Sequence, residues 1–440
     1  MSTNVFDELR RTQFPQLLPG QVYADWTGAA LPPVHLIDSW HQHLRTTLLG
    51  NPHSHHDPSA KAMQGILDTR QAILDYFHAD STEYDVIFTS GATAAIRILH
   101  HFMFTGGEVL FTADNHNTVN GLREDAKQQG GIVRYAPIKE DLTLDAEALD
   151  RMLRYPRSTG RKLFAYPAKS NYSGTLHDLS WVKLAQDLGW SVLLDAAAYS
   201  SSRRLDLHVV KPDFIPISFY KLFGYPTGLG CLIIKKSAYQ NLHKRWFAGG
   251  SILLVSVMKD FYAPESLGYA RFEDGTVDFA NIPAIIPGLR FMRDLGNLES
   301  HIVPLATRLY DNLSTMREGN NHPIVHSARG NDIVTFSVTR GPQIVNAWEF
   351  ERFANERGVF VRTGCFCNPG VNEKVFGYKI DAYEKLYNSA ILPDAITIEN
   401  LRQFSGDTPI GAIRASFGYA NNQNDVDRFV EVVREFLRAL

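Results

Sequence analysis

Two polar residues stand at the ends of neighbouring apolar runs: Asp195 closes SVLLDA (191–196), and Lys221 follows DFIPISF (213–219). If both runs are strands of one sheet, their carboxyl ends bring a carboxylate and an amine into a single cleft. An amine there can form an imine with a carbonyl compound and then carry protons, and a carboxylate can keep a nearby ring nitrogen protonated. Ser218 adds a hydroxyl three residues before the lysine. The segment FTSGATAAI (88–96) reads as strand, turn at Gly91 and helix start, which offers the free amides of Ala92 and Thr93 to a phosphate. His116, in ADNHNTV (113–119), follows another apolar run and can stack on a planar ring. Taken singly, each has an ordinary reading: a solvated strand-end Asp, a surface Lys, a packing turn, a satisfied His. Taken together, an imine lysine, a ring-nitrogen carboxylate, a phosphate cradle and a stacking group are what pyridoxal 5'-phosphate (PLP) requires of a protein.

The elements that must position these residues are legible as short β-rich runs alternating with helical stretches. DVIFT (85–89), EVLFTA (108–113), IVRYA (132–136), KLFAY (162–166), SVLLDA, DFIPISF and GCLIIK (230–235) predict a mostly parallel sheet covered by helices on both faces, an α/β architecture. A second pattern follows, with strands DIVTFSV (332–338), GVFVRT (358–363) and AIRASF (412–417) and a helix over NAWEFERFANE (346–356). In the last helix Asn424 is the expected cap, with Asp427 three residues on, and Val426, Phe429, Val430, Val433 and Phe436 make one apolar stripe. The expected division is a large cofactor-binding domain over 31–298 and a smaller α+β domain built from 1–30 and 299–440.

Across 440 residues, 44 Lys plus Arg against 47 Asp plus Glu give a net charge of −3, no electrostatic footprint for nucleic acid or an anionic membrane, so the expected partner is a small molecule. Cys231, Cys365 and Cys367 make neither a disulfide framework nor a four-cysteine metal site. A metal site combining CFC (365–367) with HSHH (53–56) fits no usual zinc spacing, so no metal is expected. The opening MSTNVFDELRRTQFPQ has no apolar stretch of signal or membrane-spanning length, and a soluble cytoplasmic protein is expected.

Nine segments carry a family resemblance: YADWTGAALPP (23–33), GNPHSHH (50–56), FTSGATAAI (88–96), FAYPAKSNYSG (164–174), LLDAAAYS (193–200), SFYKLFGYPTGLG (218–230), FEDGTVDF (272–279), VRTGCFCNPG (361–370) and RASFGYANNQNDVDRF (414–429). They resemble the class V aminotransferase branch that contains the cysteine desulfurases, most closely the N-terminal domain of eukaryotic molybdenum cofactor sulfurases. The resemblance implies the PLP-dependent transferase fold of type I. By position it makes Lys221 the imine lysine, Asp195 the pyridinium partner and His116 the ring-stacking base. Ala92, Thr93 and Ser218 match phosphate contacts, and Asn171 matches the residue near the cofactor's phenolic oxygen. Thr276 matches a threonine that reaches the phosphate of a neighbouring subunit, which implies a homodimer. Arg414 matches the arginine that holds the substrate carboxylate, a task suited to a planar guanidinium.

In the desulfurases a loop cysteine attacks the sulfur of PLP-bound cysteine, leaving a persulfide and releasing alanine, and alignment on RTG places Cys367 there. Arg362, four residues beyond the glycine of the preceding GVF, should favour the thiolate and offers a second guanidinium to the substrate. The implied activity is a PLP-dependent cysteine desulfurase or C–S lyase acting on an amino acid. Structural thiols remain the ordinary alternative for Cys365 and Cys367. The sequence departs from the sulfurases in reading NPGVNEK where they continue NPGAC, and in stopping at Leu440 without their further domain, so sulfur delivery to molybdenum is not expected. It departs from bacterial-type desulfurases in holding Ala198 and Tyr220 where those carry Gln and His. These departures leave open a decarboxylating, C–C bond-forming (aldolase-type) enzyme on the same scaffold. A non-catalytic scaffold is the alternative from another class.

Overall fold

The computed structural model describes residues 3–378 and 411–440, together with positions 381, 384, 387, 388 and 409. Seven strands form the main sheet, in spatial order Tyr84–Thr89, Gly230–Lys235, Phe214–Ser218, Ser191–Asp195, Lys162–Pro167, Glu108–Thr112 and Ile132–Ala136. Their side chains alternate between two apolar layers: Val192, Leu194, Ile215 and Ile217 pack on one face, and Leu193, Phe214, Leu232 and Ile234 on the other. Burial on both faces explains why these strands read as continuous apolar runs.

Gly230–Lys235 departs from the parallel pattern, running antiparallel to both of its neighbours. A parallel return needs a crossover of a dozen or more residues, usually a helix, and the link after Ser218 holds only the short helix Tyr220–Phe223. The chain therefore doubles back, and Gly230 comes so close to the turn before the Ala92 helix that a Cβ on it would lie 2.5 Å from the Cα of Gly91.

A second, antiparallel sheet has the order Pro323–Val325, Ile333–Arg340, Ala412–Ser416 and Arg362–Gly364. The chain start is stitched beside it, because Val22–Tyr23 pairs in parallel with Val359–Phe360 and Asp25 bridges to Ser416. GVFVRT is thus divided: Val359–Phe360 serves the N-terminal segment, and Arg362–Gly364 serves the Ala412–Ser416 strand. The last helix spans Gln423–Ala439 and buries Val426, Phe429, Val430, Val433 and Phe436 as its stripe requires.

Its cap lies two residues before the expected Asn424. The Asn422 side chain accepts from the Asp425 amide and Asp425 accepts from the Asn422 amide, a reciprocal capping box. Asp425 also pairs with Arg10, a partner 415 positions away that local spacing cannot reveal.

Candidate active site

The carboxyl ends of the main-sheet strands converge on a cavity of about 110 Å³. Ser191–Asp195 and Phe214–Ser218 pair only at Leu193 and Phe214, so they part toward their carboxyl ends, where Asp195 and Lys221 lie. Both residues line the cavity, together with Ala92, Thr93, His116, Asn171 and Ser218. Seven residues singled out in the sequence thus surround one space. Thr118, Lys169 and Tyr220 also line it and were not foreseen.

The end expected to take a phosphate is built from backbone. Gly91 caps the Ala92–Arg97 helix at φ 142°, a conformation that favours glycine, and brings no side chain of its own to the helix start. The Ala92 amide donates to the Ser218 hydroxyl at 2.8 Å, which fixes that hydroxyl at the helix start. Thr93 and Thr118 bring their hydroxyls within 3.2 Å of each other. Opposite, one oxygen of Asp195 accepts the Ala197 amide at 3.0 Å, and no group among the described residues takes the other.

His116 caps the turn Asn117–Asn120 by accepting the Thr118 amide at Nδ1, 3.1 Å away, which leaves Nε2 to carry the proton of the neutral ring. Burial pushes its pKa below the usual range, Asp195 opposes this, and Lys221 and Arg414 reinforce it. Burial likewise pushes the Lys221 amine down, against the opposing charge of Asp195. A lysine so shifted more readily presents the unprotonated amine that imine formation and proton transfer need.

The loop that carries Cys365 and Cys367 is fastened to the His116 segment. The Asn117 amide donates to the Cys367 carbonyl at 2.7 Å, and the buried Asn368 side chain donates to the Asp114 carbonyl at 2.8 Å and to Asn171 Oδ1 at 3.0 Å. Asn171 returns a bond to the Phe366 carbonyl at 2.7 Å. Phe366 and Cys367 both hold left-handed backbone, at φ 55° and 56°. Two successive non-glycine residues there cost on the order of 1–2 kcal/mol each, so the tethers hold a conformation the chain would otherwise avoid. The two thiols have different neighbours: Cys367 is close enough to Lys221, Tyr220 and Arg414 for a thiolate there to bear on them, and Cys365 is close enough to bear on Tyr172.

Arg414 is buried in the strand that reads Ala412–Ser416 and is already engaged, with Nη1 donating to the Asn171 carbonyl at 2.9 Å and Nη2 to Asp25 Oδ1 at 2.8 Å. Asp25 was not among the foreseen residues, and no local pattern in YADWTG distinguishes it from a solvated turn Asp. Arg362 stands directly across the strand pair from Arg414, exposed. Thr276 is exposed and does not line the cavity of its own chain. Among the described residues no cluster of His, Cys, Asp and Glu could hold a metal ion, and no helix is long and apolar enough to cross a membrane.

The family model described as Aminotransferase class-V matches residues 22–429. The chain belongs to the class V aminotransferase family. The molybdenum cofactor sulfurase of Homo sapiens is 31% identical over 457 residues, a match covering 97% of this chain and 51% of that protein, so the chain spans about half the length of such relatives. Among solved structures, the apo cysteine desulfurase of Thermococcus onnurineus NA1 superposes with a TM-score of 0.80 at 20% identity, covering 98% of each chain. A C-DES variant with glycine covalently linked to its PLP cofactor superposes with a TM-score of 0.72 at 18% identity, covering 97% of this chain and 99% of that one. Both likenesses are of fold.

The cofactor of the family is PLP, and the residues present fit it. A buried amine, a carboxylate with one oxygen untaken, and a helix start whose first amide fixes the Ser218 hydroxyl all open on the same cavity. Gly91, at φ 142°, supplies the backbone turn that sets this helix start beside Ser218.

Proposed function

We propose that this class V family member is a PLP-dependent enzyme that removes sulfur from cysteine, a cysteine desulfurase or C–S lyase, with Cys367 as the first sulfur acceptor. The observation that carries the proposal is the placement of Cys367, half-buried on a left-handed turn whose carbonyl is tied at 2.7 Å to the amide of Asn117, the residue after the cavity-lining His116. The names of the sulfurase relative and of the desulfurase neighbour support the same chemistry.

In this reading Lys221 would form the covalent link to the cofactor, Asp195 would hold a proton at its ring nitrogen, and Ala92, Thr93 and Ser218 would hold its phosphate. When bound, the cofactor supplies an electron sink for charge developing at the substrate α-carbon. Arg414 and Arg362 orient the substrate carboxylate. Lys221 takes the α-proton and later returns one to the carbon. Asn171 and neutral His116 wall the cavity, where His116 would stack on the bound ring and Asn171 would stand near its phenolic oxygen. Cys367, as thiolate, attacks the substrate sulfur. An S–S bond forms as the C–S bond breaks, the electron pair passes to carbon and is protonated there, and cysteine plus enzyme thiol become alanine plus enzyme persulfide.

Three further readings belong to the proposal. The large domain covers 31–298, and 1–30 with 299–440 make the small one, a division supported by the two separate sheets. The enzyme is a homodimer in which Thr276 serves the neighbouring site, supported by its exposure away from its own cavity. It works in the cytoplasm, supported by the free state of Cys231, Cys365 and Cys367.

The test is Cys367→Ala with L-cysteine as substrate. Sulfide, persulfide and alanine output should fall at least about a hundredfold, the usual effect of deleting a nucleophile, while the cofactor spectrum stays. Undiminished output removes the thiol from the mechanism. No output from the wild type, with turnover of another amino acid, would point to the aldolase-type alternative.

A further inference from the structure

Resting on the PLP reading of the cavity, we propose that Asp25 is a positioning residue that fixes the guanidinium of Arg414 for the substrate carboxylate, and that Gly28 exists to make room for it. Arg414 is buried to 4% exposure, and its side chain meets one carboxylate, Asp25 Oδ1, at 2.8 Å. The Asn171 carbonyl takes the other terminal nitrogen, so the fork is held from two directions at once. Its Nε is buried with no partner among the described residues. A guanidinium in this state is oriented but not saturated, which suits a group that must still receive an anion.

The chain goes to some length to bring Asp25 there. It comes from the opposite end of the sequence, carried on a segment that pairs with Val359–Phe360 and bridges to Ser416, two residues after Arg414. A Cβ at Gly28 would lie 2.5 Å from Asp25 Oδ2 and 2.7 Å from Oδ1. Gly28 carries no positive φ, so the space beside the carboxylate is what its missing side chain provides. The charge balance follows. Arg414 and Asp25 cancel, and the exposed Arg362 across the strand pair is left to supply net positive charge. Arg362 would draw an anion toward the site and Arg414, held by Asp25, would set its direction, because attraction is long-ranged and bidentate geometry is not.

The test compares two ligands that differ in the carboxylate alone. L-alanine and ethylamine are titrated into PLP-loaded protein, with the cofactor absorbance as readout, and the ratio of their affinities measures carboxylate recognition. In Asp25→Ala the ratio should fall about tenfold, the effect of losing one charge-assisted hydrogen bond. Asp25→Asn, whose amide oxygen can accept the same bond, should keep most of it. Gly28→Ala should reproduce the loss without touching Asp25, and it decides the matter if Asp25→Ala does not fold. An unchanged ratio in Asp25→Ala, or a normal ratio in Gly28→Ala, overturns the proposal. Neither ligand contains sulfur, so a wild type that ignores L-cysteine yet passes this test would sink the proposed reaction and leave the role of Asp25 standing.

Discussion

The main-chain carbonyl of Cys367 accepts a 2.7 Å hydrogen bond from the amide of Asn117, the residue after His116. The ring-stacking candidate and the sulfur-accepting candidate are therefore held by adjoining backbone although they lie 251 positions apart. A tight approach reinforces the contact: a Cβ at Gly370 would lie 1.9 Å from the Ala113 carbonyl. The thiol is presented by a fixed turn rather than by a swinging arm.

Asn368 is the fastener most exposed to test. It is fully buried and donates to both Asp114 and Asn171. Asn368→Ala leaves a buried carbonyl unpartnered and should cost about 1–3 kcal/mol in chemical denaturation. Sulfur release should fall further than that loss of stability explains, while cofactor binding persists, because the left-handed turn at Phe366 and Cys367 is then free to relax.

Lys169 and Asp332 form a buried pair at 2.6 Å, each 2% exposed, and Asp332 also receives Ser202 and Arg203. Removing one partner of such a pair costs about 3–5 kcal/mol, whereas replacing both with apolar groups is often neutral. Asp332→Leu strands the buried Lys169 and leaves Arg203 with Glu299 alone, so it should be the more damaging single change, and Lys169→Met, after which Asp332 keeps Arg203 and Ser202, the milder. The double variant should recover much of the loss in urea unfolding. Simple additivity would show that the charges act independently.

His177 meets Asp114 at 2.6 Å, both buried, beneath the carbonyl that anchors Asn368. Burial works against the charged imidazole, yet the Asp114 carboxylate prevails and raises the His177 pKa; the same pairing lowers that of Asp114 against its own burial. The stability from His177 is then complete below its unfolded pKa of about 6.5 and is lost as pH rises through its higher folded value. The Asp114 share has the opposite sense, present above about 3.9 and lost as pH falls through its lower folded value. The stability difference between wild type and His177→Gln should be largest between about pH 4 and 6.5 and shrink toward alkaline pH. A gap that widens as pH rises would reverse the assignment.

What the sequence made legible was what period and composition govern. The buried strands announce themselves as apolar runs, and strand-end chemistry puts Asp195, Lys221, Ser218 and His116 in one region once the sheet is drawn. The antiparallel sense of Gly230–Lys235 was not visible, because a run of apolar residues carries no direction and only the shortness of its connection decides it. The tail-helix cap was misplaced by two residues because Asn422, Asn424, Asp425 and Asp427 offer two equivalent spacings, and Arg10, far off in the chain, settles which is used. Asp25 and Lys169 were missed for a similar reason: their partners lie 389 and 163 positions away. The left-handed turn at Phe366 and Cys367 was hidden too, since neither residue type favours it and distant tethers impose it.

The central claim is that Lys221 is the amine that holds PLP, with Asp195 across the same cavity. A second buried lysine, Lys169, lines that cavity, so the assignment can fail in a specific way. Borohydride reduction of the PLP-loaded protein, followed by peptide mapping by mass spectrometry, locates the bond. The account predicts a phosphopyridoxyl group on the peptide containing Lys221 and none after Lys221→Ala. A label on Lys169, or no stable label on the wild type, would contradict it.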